Sequence, residues 1–140
     1  MARGSELSVR DGILLLIRSE GRFLLVRRAE GVPFGGKWAL VSGKIEAREE
    51  PKEAAIREAK EELGVALRPI CKVWECLSID GRFRLHWWTA ELLASESDLA
   101  PDSREISELR WLRPEELDEV DGLLDAEERY LGKVLAELDP

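Results

Sequence analysis

The order of apolar patterns along this chain of 140 residues predicts an α/β domain, a mixed β-sheet covered by helices. Three features carry that expectation. Short extended apolar segments fill the first and middle parts of the chain. One amphipathic stretch with helical spacing interrupts them. A second helical stretch closes the sequence. The length is that of one ordinary domain, and 44% hydrophobic with 36% charged residues suits one core in water, so residues 1–140 read as a single domain.

LSVRDGILLLIR (7–18) reads as the first strand, SEG (19–21) as a turn, and RFLLVRR (22–28) as a second strand closing a hairpin. AEGVPFGGK (29–37) is a loop, rich in Gly and holding a Pro, and WALVSG (38–43) is a short extended piece. EEPKEAAIREAKEELG (49–64) reads as a helix. Pro51 suits its first turn, acids gather at its positive end, and Gly64 suits its C-terminal cap. Ala55, Ile56, Ala59 and Leu63 form the expected apolar stripe. Extended segments follow at PICKVWECLSI (69–79) and RFRLHWWTAEL (82–92), joined at Asp80-Gly81. ISELRWL (106–112) is the expected last strand. PEELDEV (114–120) starts a short helix, and DAEERYLGKVLAEL (125–138) a terminal one.

Composition narrows the function. Net charge is −8, but residues 91–140 hold 16 acids and 5 bases, whereas residues 1–90 hold 13 acids and 16 bases. An acidic C-terminal region argues against general nucleic-acid affinity, while the basic first half could serve a small anionic ligand. No apolar run approaches the roughly 20 residues needed to span a membrane, and MARGSELSVRDG carries no apolar signal region. Cys71 and Cys76, with a single histidine in the chain, cannot build a zinc site, so they read as reduced, partly buried thiols of a cytoplasmic protein. The chain has no Asn and no Gln, which fits a thermophilic source or a codon bias, and any ligand must be read without side-chain amides.

The segment GKIEAREEPKEAAIREAKEELGV (43–65) poses the chemical question. Glu58, Glu61 and Glu62 share one helix face. Arg57 stands four residues from both Glu53 and Glu61, but Glu58 and Glu62 have no base at helical spacing. Like charges beside an apolar stripe need something positive from elsewhere. A hard divalent cation would serve, since carboxylate oxygens are its preferred ligands. A tertiary Arg or Lys would serve too, and the residues by themselves leave both open.

The segment also resembles the signature of the Nudix hydrolases: Gly, five residues, Glu, seven residues, then Arg-Glu-apolar-x-Glu-Glu-x-Gly-apolar. Here those positions are Gly43, Glu49, Arg57, Glu58, Ala59, Glu61, Glu62, Gly64 and Val65. RFLLVRR, a loop and KWALVSGKIE resemble the approach to this box in MutT-like members, and ISELRWLRPEEL resembles their closing strand and turn. The resemblance implies an α/β/α sandwich whose mixed sheet is flanked by the box helix and a C-terminal helix. It implies Mg²⁺- or Mn²⁺-dependent cleavage of a pyrophosphate link in a nucleoside diphosphate derivative, with a (deoxy)nucleoside triphosphate as the leading substrate. Nucleotide sugars, ADP-ribose and dinucleoside polyphosphates are the alternatives within enzymes. A nucleotide-binding sensor without catalysis is the alternative outside them.

The same resemblance implies roles. Glu58 and Glu62 become direct metal ligands, and Glu61 a second ligand or the holder of a water beside the ion. A carbonyl at Ser42 or Gly43 completes the set. Arg57 orients the glutamate helix by pairing with Glu49 or Glu53. The general base is Glu61 or, outside the box, Glu105 with Glu108 behind it. One of Arg27 and Arg28 is expected to reach phosphate, since neighbours on a strand point opposite ways; Lys44 and Arg48 could reach it as well. Two positions depart from the family's pattern. Val41-Ser42-Gly43 stands where Pro-Gly-Gly is usual, and Arg48 where Gly is usual. Guanine readers of this type often use an amide, so Asp121, Asp125 or backbone groups would replace it. The partner is a small nucleotide, with no nucleic acid or membrane, and the chain is a monomer or a homodimer.

Overall fold

Five consecutive apolar residues, Ile13 to Ile17, set the architecture, because strand alternation sends them to two opposite cores. They lie in β1 (Arg10–Ser19) of a computed structural model that describes residues 8–138. Leu7, the expected start of that strand, lies outside the described residues. The further elements are β2 (Arg22–Arg28), β3 (Trp38–Ala39), β4 (Val41–Lys44), α1 (Pro51–Leu63), β5 (Leu67–Leu77), β6 (Phe83–Leu92), β7 (Ile106–Leu112) and α2 (Asp125–Leu138). Two 3-10 turns, Glu96–Asp98 and Pro114–Glu119, complete them. PEELDEV therefore forms a 3-10 turn rather than an α-helix. Among the described residues no helix is long and apolar enough to cross a membrane.

The strands run β3-β2-β1-β6-β5, with β4 beside β1 and β7 beside β2. β1 and β6 are parallel from Arg10–Phe83 to Arg18–Glu91, and the other pairs are antiparallel, so the sheet is mixed as expected. WALVSG is not one strand. Trp38–Ala39 pairs with β2, whereas Val41–Lys44 crosses to β1, opposite Gly12 to Leu15. That crossing delivers the following loop to the α1 side of the sheet. Glu20 and Gly21, both at positive φ, make the two-residue hairpin turn.

Ile13, Leu15, Ile17, Leu24 and Val26 pack with α1, whereas Leu14, Leu16, Phe23, Leu25 and Trp87 pack with α2. The result is the three-layer α/β/α sandwich. The expected face of α1 needs one correction. Ala54 is buried and Ile56 is 47% exposed, and a charged residue, Glu58, lies on the buried face. Cys71 is exposed rather than partly buried. Pro51 starts α1, Glu50 N–H is capped by Glu53 Oε1 at 2.8 Å, and left-handed Gly64 ends it.

In the loop between β4 and α1, Arg48 adopts φ +67°, the left-handed region that favours glycine. An L side chain there costs roughly 1–2 kcal/mol. Arg48→Gly should therefore raise the unfolding free energy by about 1 kcal/mol, less the added entropy of the unfolded chain. A shifted urea midpoint at unchanged slope would register it. A lower midpoint would mean that the Arg48 side chain contributes more than its backbone costs.

Candidate active site

The site is assembled by one guanidinium. Arg57, on α1, donates Nε to Glu49 Oε2 at 2.8 Å and Nη2 to Glu49 Oε1 at 2.9 Å, a two-pronged pair across the loop. Nη2 also donates to the Lys44 carbonyl at 2.8 Å, and Nη1 to Glu58 Oε2 at 2.9 Å and Glu61 Oε1 at 3.3 Å. The helix is thereby clamped to the end of β4. The pair with Glu49 raises the guanidinium pKa further and lowers that of Glu49. The expectation that Glu58 lacks a basic partner is thus corrected. It meets Arg57, its immediate neighbour, a contact that spacing rules for helix faces do not count. The charge deficit survives, because Arg57 alone serves Glu49, Glu58 and Glu61, with Glu62 beside them.

Glu62 is half-buried and shares a hydrogen bond with Glu58. Burial first, then Glu58 and the nearby charge of Glu105, push its pKa up to about 9, and Arg28 opposes the shift. Glu105 is held there by backbone. Asp102 N–H donates to the Glu62 carbonyl at 2.9 Å, Glu105 N–H to the Asp102 carbonyl at 2.9 Å, and Ala29 N–H to the Glu105 carbonyl at 2.9 Å. The loop ahead of β7 thus uses the unpaired carbonyls at the end of α1 as its anchor.

Gly43 faces Glu58 so closely that a Cβ there would overlap the carboxylate. Gly43 and Lys44 also line a cleft of about 890 Å³, together with Arg28, Phe34, Lys37 and Glu127. Arg28, whose Nε donates to the Pro33 carbonyl at 2.6 Å, is the member of the arginine pair that enters this cleft. Arg27 turns away to the Gly36 carbonyl, Glu108 and the ring of Trp38. Arg48 is exposed on the loop and does not line the cleft. Asp125 lines it and Asp121 does not. His86, which is partly buried, contacts Asp11 Oδ1 and Lys72 Nζ, each at 2.9 Å.

One residue escaped the sequence reading. Glu127 is buried, accepts from Leu40 N–H at 2.9 Å, and has its pKa pushed up by burial to about 7. The signal was there: Glu127 stands one turn before Leu131 on the apolar stripe of α2, where a charge is out of place.

The family model for the NUDIX domain matches residues 7–137. The chain belongs to the NUDIX domain family. It is 33% identical over 117 residues to the uncharacterized Nudix hydrolase YfcD of Escherichia coli, covering 82% of this chain and 61% of that one. The chain therefore spans under two thirds of the YfcD relatives it matches. A putative 8-oxo-dGTP diphosphatase 2 of Mycobacterium tuberculosis is 30% identical over 101 residues, covering 70% and 69%. The crystal structure of a MutT protein from Methanosarcina mazei Go1 superposes with a TM-score of 0.79 at 24% identity, covering 95% and 97%, which speaks for the fold.

The oxygen-only donors of the Nudix box fit the hard divalent ion that the family implies. Glu58 and Glu62 already share a proton-mediated contact, and a side chain at Gly43 would obstruct the space beside them. Among the described residues no three acidic, Cys or His side chains stand ready as a metal cage, because Arg57 holds Glu58 and Glu61.

Folded Glu62 keeps its proton to about pH 9, whereas the unfolded chain releases it near 4.5. Its contribution to stability is full below that lower value and is lost as pH rises towards the upper one. With EDTA present, wild-type stability should fall between those limits, and Glu62→Gln should flatten the slope. Equal slopes for the two proteins would show that Glu62 ionises normally.

Proposed function

We propose that this protein is a Mg²⁺- or Mn²⁺-dependent hydrolase of the pyrophosphate link in a (deoxy)nucleoside triphosphate. The observation that carries the reading is the Glu58–Glu62 carboxylate pair, whose Glu58 abuts Gly43 in the wall of a cleft that also holds Arg28 and Lys44. Four acids beside one guanidinium call for more positive charge. A polyphosphate alone would only add to the deficit.

Glu58 and Glu62 would hold the ion, with Glu61 joining after release from Arg57 and the Gly43 carbonyl as a further donor. The ion supplies neutralisation of phosphate charge and alignment of a water. Arg28 and Lys44 bind phosphate oxygens, with Arg48 at the loop rim. Glu105, which Arg57 does not engage, accepts the proton of the attacking water. The water oxygen bonds to phosphorus, and the bridging oxygen leaves with the electron pair of the broken P–O bond. Arg57 keeps α1 registered against the loop and touches no reacting atom.

The apolar part of the cleft, with Phe34, Phe83, Leu85 and Leu123, suits a nucleoside. In a chain without Asn or Gln, Glu127 is the buried polar group there, and we assign the base edge to it in place of Asp121 or Asp125. The relative named a putative 8-oxo-dGTP diphosphatase supports a triphosphate substrate.

A panel of nucleoside triphosphates, nucleotide sugars, ADP-ribose and dinucleoside polyphosphates, assayed with Mg²⁺ and resolved by product, tests the reading. Glu62→Gln should lower kcat by at least about a hundredfold, and EDTA should abolish turnover. Turnover of no nucleotide by wild type, with binding retained, would make the protein a sensor. In the same panel Glu127→Gln should change the ranking of bases by about 10- to 100-fold in kcat/KM. An unchanged ranking would leave Glu127 as a tether between α2 and Leu40.

A further inference from the structure

β5 ends the sheet. Among the described strands it pairs with β6 alone, so its other edge has no strand beside it. Such an edge is a template for another strand. This one is also apolar: Ile70 is 47% exposed and Leu77 55%, and Ile79, just beyond, is 71% exposed. They are half of the exposed large hydrophobic residues among the described ones.

The exposed segment reads Ile70-Cys71-Lys72-Val73-Trp74-Glu75-Cys76-Leu77. Turned end for end, it matches itself. A two-fold axis between Val73 and Trp74 sets Ile70 against Leu77 of a second copy, Cys71 against Cys76, Lys72 against Glu75 and Val73 against Trp74. Each match occurs twice across the axis, as an isologous interface requires. Sliding one copy by one residue sets Lys72 against Trp74 or Cys76. Sliding it by three sets Lys72 or Glu75 against itself, a like-charge pair.

Residues three apart on a regular strand point to opposite faces, so Lys72 and Glu75 could not ordinarily meet each other's copies. The bulge at Val73 removes that obstacle. Lys72 stands opposite Trp88 and Glu75 opposite His86, which share one face of β6. Cys71 and Cys76 stand opposite Thr89 and Leu85, which share the other. Lys72 Nζ and Glu75 Oε1 are 2.6 Å apart within the chain, which confirms the common face. A bulge and a lysine usually deter strand pairing. Here the bulge aligns the two charges, and a glutamate of opposite sign receives the lysine.

We propose that this protein forms a two-fold dimer in which β5 pairs antiparallel with β5 of a second copy, with Lys72 of each chain facing Glu75 of the other. The dimer would continue the sheet across both subunits and cover Ile70 and Leu77.

Light scattering behind a sizing column tests it. Wild type at high micromolar concentration should run at twice the 15.9 kDa chain mass. Lys72→Glu and Glu75→Lys should each weaken association by about tenfold or more, since each sets two like-charge pairs across the axis. An equimolar mixture of the two variants should dimerise again. In that mixture the charges match only between chains and stay mismatched within each chain, so loss by misfolding and loss of the interface are told apart. A wild type that stays monomeric, single variants that dimerise as well as wild type, or a mixture that fails to recover would overturn the proposal. Diamide oxidation provides a second reading. Wild type should give a disulfide-linked dimer through Cys71 and Cys76, and Cys71→Ser should not. The same band in both, or none in either, would also count against it.

Discussion

The site depends on a shortage of positive charge around α1. Arg57 is spread over Glu49, Glu58, Glu61 and the Lys44 carbonyl, so a single guanidinium fixes the helix against its loop. That leaves Glu62 half-buried among like charges, where it retains a proton that an exposed carboxylate would lose. Folding tolerates this arrangement because the rest of the helix is well secured. Ala54, Ala55, Ala59 and Leu63 are fully buried, and both helix ends are capped. Stability is supplied by the apolar face, while the acidic edge holds more carboxylates than Arg57 alone pairs.

The fold serves that edge from three directions. β1 carries the sheet, and its Gly12 to Leu15 stretch receives β4, which delivers Gly43 and Lys44. The loop ahead of β7 ties to the last carbonyls of α1 and brings Glu105 alongside Glu62. β2 ends with Arg28 in the cleft, where a register shift against β7 separates it from Arg27. None of these groups is near another in sequence outside the box. They meet because β2 and β4 end where β1 and β7 begin, which brings three separate chain segments beside α1.

Much of this was legible beforehand. The hairpin, the box helix with its caps, and the terminal helix each follow from local pattern. The box resemblance placed Arg57, Glu58, Glu61, Glu62 and Gly43 in one neighbourhood. What escaped depended on tertiary contact. Ile56 looked like core, yet the helix is rotated so that Glu58 takes the buried face and Ile56 meets solvent. WALVSG looked like one strand, but Leu40 turns inward to receive Glu127, and the halves pair with different neighbours. The Arg57–Glu58 contact was invisible because it reaches around the helix edge instead of along a row of side chains.

Glu127 shows why the box alone does not define the reaction's scope. The box deals with phosphate and cation, which every candidate substrate shares. Discrimination must come from the remainder of the cleft, and there the chain lacks the amide that would both donate and accept. A carboxylate held near neutrality by burial can accept when ionised and donate when protonated. Its partner Leu40 sits between β3 and β4, so a base bound by Glu127 as proposed would be coupled to the strand that carries Gly43. Under that proposal, a base that satisfies Glu127 would act on the segment from which the β4–α1 loop departs. Removing that contact would disturb the loop as well as the base, and rate and selectivity should be linked through one buried acid.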